Sequence, residues 1–486
     1  MATQQEEETV VRVPQIVQEL NQTMRSGITR TKEWRMQQLR AVLKLLEDNE
    51  ERITTALAKD LGKSAHEGYL TEIVQATSSC KLAMKELNKW MAPQKVPTTL
   101  ITFPGKAAII AEPLGLALII APWNFPFSLV IDPLIGAISA GCAVVIKPSE
   151  ITPTVSSLIA DLIQKYLDKK AIHVVEGGVP VATALLEQKW DKIFYTGNPK
   201  VGRIVMAAAA KHLTPVTLEL GGKCPVYIDD SVDLKVSAQR ICHGKWGFNC
   251  GQTCIAPDYL LVQESIVPKL VETMKDTIVQ FFGEDPSKSG DLSRIVNENH
   301  FQRLSKLLDD PRTSEKIVHG GQHVKELLFI APTIILDIPL DTPVMSDEIF
   351  GPILPIIIIK GVDEAMDVIL SFPKPLAFYV FSTKKEVQER LVIGISAGGM
   401  GVNETMMHFT IPRLPFGGVG ESGMGAYHGK DSFDAFSHKK AILYKGMRGD
   451  IPARFPPYTS EKKSLVRRVA AGDVIGVLLV MLGLKK

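Results

Sequence analysis

Two short, glycine-flanked segments carry a thiol and a carboxyl. Cys254 closes Gly247-Phe248-Asn249-Cys250-Gly251-Gln252-Thr253-Cys254, and Glu219 sits in Thr217-Leu218-Glu219-Leu220-Gly221-Gly222-Lys223, 35 residues upstream. A thiolate attacks carbonyl carbon readily, and a carboxylate held nearby takes a proton from the water that later releases the product. Together they could make and then hydrolyse a thioester. Either residue alone has a blander reading: most free cysteines are inert core groups, and a carboxyl in an apolar run is often a paired structural one. In water a glutamate titrates near about 4, and burial raises that value and makes it a better base at neutral pH. Asn124, in Pro122-Trp123-Asn124-Phe125-Pro126, adds a third polar group. Beside proline it reads first as a turn residue. Its alternative task is to aim a side-chain amide at an oxyanion, with the Cys254 backbone N–H as second donor, at about 3 kcal/mol per donor. Phe125 and Thr253, their chain neighbours, are the candidate substrate contacts.

Cys250 precedes Cys254 by four positions, so the pair is not the C-x-x-C redox motif. Cys242, His243, Cys250 and Cys254 match none of the paired zinc spacings, and no metal site is expected. Cys250 is read as auxiliary.

A dinucleotide site needs a strand, a glycine turn and a helix N-terminus that meets the pyrophosphate. Gly418-Val419-Gly420-Glu421-Ser422-Gly423 fits G-x-G-x-x-G literally, but no strand enters it and no clear helix leaves. The better candidate is the apolar run 193–195 leading into Thr196-Gly197-Asn198, then Val201-Gly202 and the alanine-rich stretch to Lys211. Lys147 and Glu150 follow another apolar run, 143–146, where ligands gather at the carboxyl end of a parallel sheet.

Gly-Gln-Thr-Cys together with Glu-Leu-Gly-Gly-Lys resembles the catalytic signature of the NAD(P)-dependent aldehyde dehydrogenases. Pro122-Trp123-Asn124-Phe125-Pro126, Lys147-Pro148-Ser149-Glu150, Tyr195-Thr196-Gly197-Asn198-Pro199-Lys200-Val201-Gly202, Glu348-Ile349-Phe350-Gly351-Pro352 and Leu414-Pro415-Phe416-Gly417-Gly418-Val419-Gly420 resemble further family motifs, in family order. The likeness runs over roughly residues 12 to 445. A length near 486, His428-Gly429-Lys430 and a hydrophobic tail point to the class 3, fatty-aldehyde type. The resemblance implies Cys254 as nucleophile, Glu219 as the base that activates the deacylating water, and Asn124 as oxyanion donor. It implies that Lys147 and Glu150 contact the adenosine ribose of the cofactor, and that Glu348 and Phe350 position the nicotinamide ribose and ring. Thr196, Gly197, Asn198, Val201 and Gly202 form the family's longer variant of the Rossmann turn. NAD is the implied cofactor. NADP stays open, because Glu150 should repel a 2′-phosphate while the small Val201 leaves room beside the turn. The product is a carboxylic acid from an aldehyde, of medium or long aliphatic chain or aromatic. The Glu219–Cys254 spacing is one residue longer than the resemblance leads one to expect, with the extra residue in Trp246-Gly247-Phe248.

Three other readings were weighed. Gly394-Ile395-Ser396-Ala397-Gly398 is a literal G-x-S-x-G, but a serine hydrolase needs a strand before Ser396 and a helix after it, and 384–392 looks helical. A CoA-acylating dehydrogenase would usually lack the base at Glu219. A non-enzymatic descendant would have lost Cys254, Glu219 or Asn124, and all are present.

These groups need elements to hold them. Leu39, Val42, Leu43 and Leu46 recur at helical spacing in a helical region over 12–60. From 105 to 230, Ile- and Val-rich runs at 116–120, 143–146, 192–195 and 225–228 alternate with longer amphipathic stretches, as in βαβ units around a buried parallel sheet. A second set, including 353–359 and 376–381, suggests a second α/β domain. The expected fold is therefore α/β: a Rossmann-like cofactor domain (1–91 and 112–216), a catalytic domain (217–402), a small β oligomerisation arm (92–111 and 403–445), and a connector and tail (446–486). The resemblance adds a homodimer, in which the segment 92–111 and a strand near 441–445 complete the partner's sheet.

Six cysteines and an acidic, polar N-terminus without an apolar core argue against secretion and a disulfide framework. A formal charge of +2 leaves no electrostatic footprint for nucleic acid. The tail, 461–486, joins Lys462, Lys463, Arg467 and Arg468 to the apolar run 474–484 and Lys485-Lys486. Such a run is too short to span a bilayer core of about 30 Å. It suits shallow contact with an anionic surface, and places the protein in the cytoplasm, with an intracellular membrane as its attachment.

Overall fold

The apolar runs of 105–230 become strands because each is short, β-branched and bounded by turn residues. In the computed structural model, which describes residues 4–99, 102, 104–448, 450 and 452–481, the runs at 116–120, 143–146 and 192–195 join one sheet of six strands, whereas 225–228 enters a second sheet. The six-stranded order is Gly423–Met424, Val216–Glu219, Lys192–Thr196, Leu116–Ile120, Ala143–Lys147 and Ile172–Val174. All neighbours run parallel except the first pair. The strands Leu116–Ile120 and Ala143–Lys147 are buried at every residue, which is why they read as unbroken hydrophobic runs. The helix Ser128–Ala140 crosses between them and is itself wholly buried. On the sheet, Val13, Val17 and Leu20 of the helix Gln4–Ser26 join Leu118, Val145, Ile193 and Leu218 in one core cluster.

After Glu219 the chain passes directly into a second sheet of seven strands. Its order is Ile317–His319, Thr333–Leu336, Ile353–Ile359, Tyr259–Gln263, Pro225–Ile228, Ala377–Phe381 and Gly399–Val402. Here too all neighbours are parallel but for the edge strand Ile317–His319. The α/β architecture expected from the alternating runs is thus present twice.

Both sheets lie in one compact unit of residues 1–86 and 113–436. Residues 403–436, which the sequence reading grouped with the arm, belong to this unit. Gly423–Met424 pairs antiparallel with Val216–Glu219, and the helix Gly429–Ala435 meets the buried helix at Gly136, where a side chain would strike Ser432. The second unit, 87–112 and 437–486, holds a three-stranded sheet of Gln94–Val96, Lys106–Pro113 and Ser437–Tyr444. Its tail folds as two helices, Ser460–Ala470 and Val474–Met481. The rest of the apolar run, from Leu482, lies outside the described residues. No helix among the described residues is long and apolar enough to cross a membrane.

Candidate active site

In the six-stranded sheet, the candidate residues gather at the carboxyl ends of four adjacent strands. Leu116–Ile120 leads to Asn124, Ala143–Lys147 ends in Lys147, Lys192–Thr196 opens into the glycine turn, and Val216–Glu219 ends in Glu219. In the seven-stranded sheet they lie at the opposite, amino ends: Lys223 precedes Pro225–Ile228, Cys254 precedes Tyr259–Gln263, and Glu348 and Phe350 precede Ile353–Ile359. One sheet's exit edge and the other's entry edge supply the whole set.

Glu219 is held by its backbone. It pairs with Thr196 on one side and Gly423 on the other, and its carbonyl accepts the Gly197 N–H at 3.0 Å. The carboxyl is buried, and neither oxygen has a hydrogen-bond partner among the described residues. Desolvation pushes it well above the usual 4.5, opposed by the charge of Lys192. Lys192, whose amine donates to Thr217 Oγ1 at 2.7 Å, is itself lowered to about 8 by burial. The decoy glycines find their use here. Gly423 has φ 144° and a Cβ there would lie 2.2 Å from the Leu218 carbonyl, while one at Gly418 would lie 2.0 Å from that of Ser422. Gly423 lets the loop backbone press against the Glu219 strand, and Gly418 lets the loop close on itself.

The cysteine loop follows the helix Leu234–Trp246 and turns left-handed at three successive residues, Asn249, Cys250 and Gly251, with φ of 48°, 51° and 75°. A non-glycine residue there costs about 1–2 kcal/mol, so the turn must be over-determined. The Asn249 N–H donates to Glu67 Oε1 at 2.7 Å, and Ser293 Oγ donates to the other oxygen at 2.7 Å. Gln252 Nε2 donates to the carbonyls of Asn249 and Arg294, both at 3.0 Å, and its Oε1 accepts the Val296 N–H at 3.0 Å. Thr253 is buried, its hydroxyl donating to the Phe248 carbonyl at 3.3 Å. Cys254 is the one cysteine of the six that is partly exposed as a residue; the other five are buried. Desolvation raises its thiol, and the nearby carboxyls of Glu348 and Glu219 raise it further. Burial pushes the Cys250 thiol up as well, with Glu67 adding to the shift and Lys245 opposing it.

Asn124 is buried, and its backbone carbonyl accepts Lys63 Nζ at 3.0 Å and Asn249 Nδ2 at 2.8 Å. Lys63 also lies 4.0 Å from the centre of the Phe125 ring. The oxyanion candidate and the nucleophile loop are therefore joined through Asn249.

For the cofactor, Asn198 caps the helix Pro199–Ala210, accepting the Val201 N–H at 2.9 Å. Gly202 permits close packing, since a Cβ would sit 2.8 Å from Leu220, and a Cβ at Gly197 would strike the Tyr195 hydroxyl. Val201 is 36% exposed at the helix start. Lys147 Nζ pairs with Glu150 at 2.5 Å, the lysine buried and the glutamate half-open. Glu348 leans on Gly221, where a side chain would meet its carboxyl at 2.2 Å, and desolvation raises it to about 8. Phe350 has φ 49° and lies edge-on to Trp123 at 5.3 Å. The Glu348 loop is fastened by Lys223, which is paired with Asp258 and donates to the carbonyls of Val344 and Asp347 at 3.2 and 3.0 Å. Asp258 Oδ1 accepts the Ile349 N–H at 2.9 Å. A capped helix N-terminus, a buried lysine with a half-open carboxylate, and a fastened Glu–Phe loop fit a dinucleotide with two riboses and a ring.

Ser396 follows the helix Lys385–Gly394 and precedes the strand Gly399–Val402, the reverse of a nucleophile elbow. The sequence reading missed Lys63, Glu67, Glu72, Asn249 and Asp258, and also Arg303, which donates to the Phe350 carbonyl at 3.3 Å. None lies in a motif except Asn249, whose role depends on partners distant in the chain.

The chain matches the aldehyde dehydrogenase family model over residues 3–442. It is 54% identical over 469 residues to aldehyde dehydrogenase family 3 member H1 of Arabidopsis thaliana, covering 96% of this chain and 97% of that protein. With the rat aldehyde dehydrogenase named dimeric and NADP-preferring it shares 45% identity, covering 91% of this chain and 97% of the relative. A substrate-bound structure of Staphylococcus aureus AldH superposes with a TM-score of 0.91 at 42% identity, covering 95% of this chain and 99% of that one.

Proposed function

The chain belongs to the aldehyde dehydrogenase family, resembling its class 3 members, and on that premise we propose how its own residues oxidise an aldehyde to a carboxylic acid with NAD(P)+. Cys254 Sγ attacks the aldehyde carbon, and the oxyanion so formed is met by the Asn124 side-chain amide and the Cys254 backbone N–H. NAD(P)+, when bound, would supply the hydride acceptor, and loss of hydride from this carbon leaves a thioester on Cys254. Glu219 then takes a proton from water, which attacks the thioester and releases acid and free thiol. Lys147 and Glu150 hold the adenosine ribose, the Asn198–Gly202 helix start faces the pyrophosphate, and Glu348 with Phe350 sets the nicotinamide end. Phe125 and Thr253 border the substrate. The observation that carries this reading is Glu219: a buried carboxyl with no hydrogen-bond partner among the described residues, whose charge adds to the upward shift of the Cys254 thiol. A structural carboxylate would be paired, and one kept unpaired is poised for water.

Release to water rather than to CoA follows from the presence of that base. Medium- or long-chain aliphatic or aromatic aldehydes are the proposed substrates. The protein acts as a homodimer, in keeping with the dimeric relative, and lies in the cytoplasm with its 461–486 tail against a membrane surface. The test is NAD(P)H formation from aldehydes of graded chain length with each cofactor, with and without CoA. Cys254→Ser should lose nearly all turnover yet bind NAD, and Cys250→Ser and Ser396→Ala should stay active. Substantial turnover in Cys254→Ser protein removes the nucleophile assignment, and a strict need for CoA removes Glu219 as the deacylating base.

A further inference from the structure

The Asn124 peptide is fixed from two other parts of the chain. Its carbonyl accepts one bond from Lys63 Nζ at 3.0 Å and one from Asn249 Nδ2 at 2.8 Å. Both bonds go to the backbone, so neither consumes the side-chain amide. Lys63 is 1% exposed, and its amine lies 2.7 Å from Glu72 Oε1. The other Glu72 oxygen accepts the backbone N–H groups of Phe127 and Ser128 at 3.1 and 2.8 Å. One buried ion pair thus grips the segment on both sides of Phe125 and Pro126, at the entry to the buried helix Ser128–Ala140. Asn249 Nδ2 also reaches the Gln252 carbonyl at 3.2 Å, which links the grip to the nucleophile loop.

A buried lysine–glutamate pair is a poor device for stability alone. Desolvating two charges offsets much of their attraction, and apolar residues of equal volume often do as well. What the pair adds is a charge-assisted bond to one carbonyl from a group that cannot move. Oxyanion donors must be fixed before charge develops, because a donor that has to reorient gives back part of its benefit.

We infer that Lys63, assisted by Asn249, is a positioning residue for the oxyanion: it locks the Asn124 peptide so that the side-chain amide points where the thiohemiacetal oxygen forms. The inference rests on the donor role proposed for Asn124. Lys63 touches neither substrate nor cofactor in this scheme, so its effect is confined to acylation.

The experiment is a stopped-flow measurement of the NAD(P)H burst in Lys63→Met, Asn124→Ala and the double variant, with NAD+ affinity by fluorescence as a check on folding. Lys63→Met should slow the burst roughly tenfold, leave NAD+ affinity unchanged, and add little once Asn124 is already alanine. A burst at the wild-type rate in Lys63→Met, with Asn124→Ala slow, overturns the inference and leaves the donor in place. So does a double variant slowed by the product of the two single effects. A wild-type burst in Asn124→Ala overturns the donor role and the inference with it. Should Lys63→Met fail to fold, Asn249→Ala removes the second bond without stranding a charge. Its burst should slow by a smaller factor, and an unchanged burst there overturns the inference equally.

Discussion

Glu219 shows how a single residue can be costly to the fold and necessary to the chemistry. Its carboxyl is buried with no hydrogen-bond partner among the described residues, and desolvation raises its pKa well above 4.5. The folded chain therefore keeps it protonated over a range where the unfolded chain has already lost the proton. The stability this permits is complete below about pH 4.5 and is lost as pH rises through the raised folded value. Glu219→Gln removes the ionisation, so it should melt higher than the wild type near neutral pH. The gain in Tm should grow as pH rises above about 4.5 and vanish in acid. A variant that melts lower than the wild type at pH 8 would mean the carboxylate has a stabilising partner in solution. The sequence made Glu219, Cys254 and Asn124 legible because each sits in a motif whose chemistry dictates its residue type. Lys63 was not legible. A lysine after Leu61-Gly62 looks like any surface lysine, and only tertiary packing puts its amine on the Asn124 carbonyl.

At the scale of elements, the strands were readable because burial on both faces makes a parallel strand an unbroken apolar run. The use of sheet edges was readable only in part. The carboxyl-end rule points to Lys147 and Glu150, but the strand ending in Glu219 is not among the expected runs, and Cys254 and Glu348 lie at amino ends in the second sheet, where no such rule applies. The glycine-rich loop at 417–425 shows the limit of spacing as a signal. Gly423 and Gly425 answer to crowding against the Glu219 strand, and Gly417 and Gly418 to crowding within the loop itself, requirements invisible without the fold. That crowding gives a prediction. Gly423→Ala places a methyl against the Leu218 carbonyl at a φ of 144°, so the strand must shift and carry Glu219 with it. The variant should keep its NAD(P)H burst and lose most of its steady-state rate. Wild-type turnover in it would show that Glu219 is not aimed by this edge.

At the scale of the whole molecule, the tail belongs to the second compact unit. Val474–Met481 spans eight residues, about 12 Å as a helix, against a hydrocarbon core of about 30 Å. The preceding helix Ser460–Ala470 is basic in its last turn, with Arg467 and Arg468. Deleting 461–486 should leave activity on short aldehydes intact and abolish flotation with anionic vesicles at low salt. If the intact chain never floats, the tail serves the fold. The account as a whole stands on a covalent acyl-enzyme that Glu219 resolves, and this can be weighed directly. Glu219→Gln protein, mixed with NAD+ and a long-chain aldehyde and quenched after the burst, should carry the mass of one acyl group on the peptide containing Cys254. The wild type, quenched after turnover is complete, should carry none. An adduct on another residue, or none in Glu219→Gln protein that turns over at the wild-type rate, would contradict it.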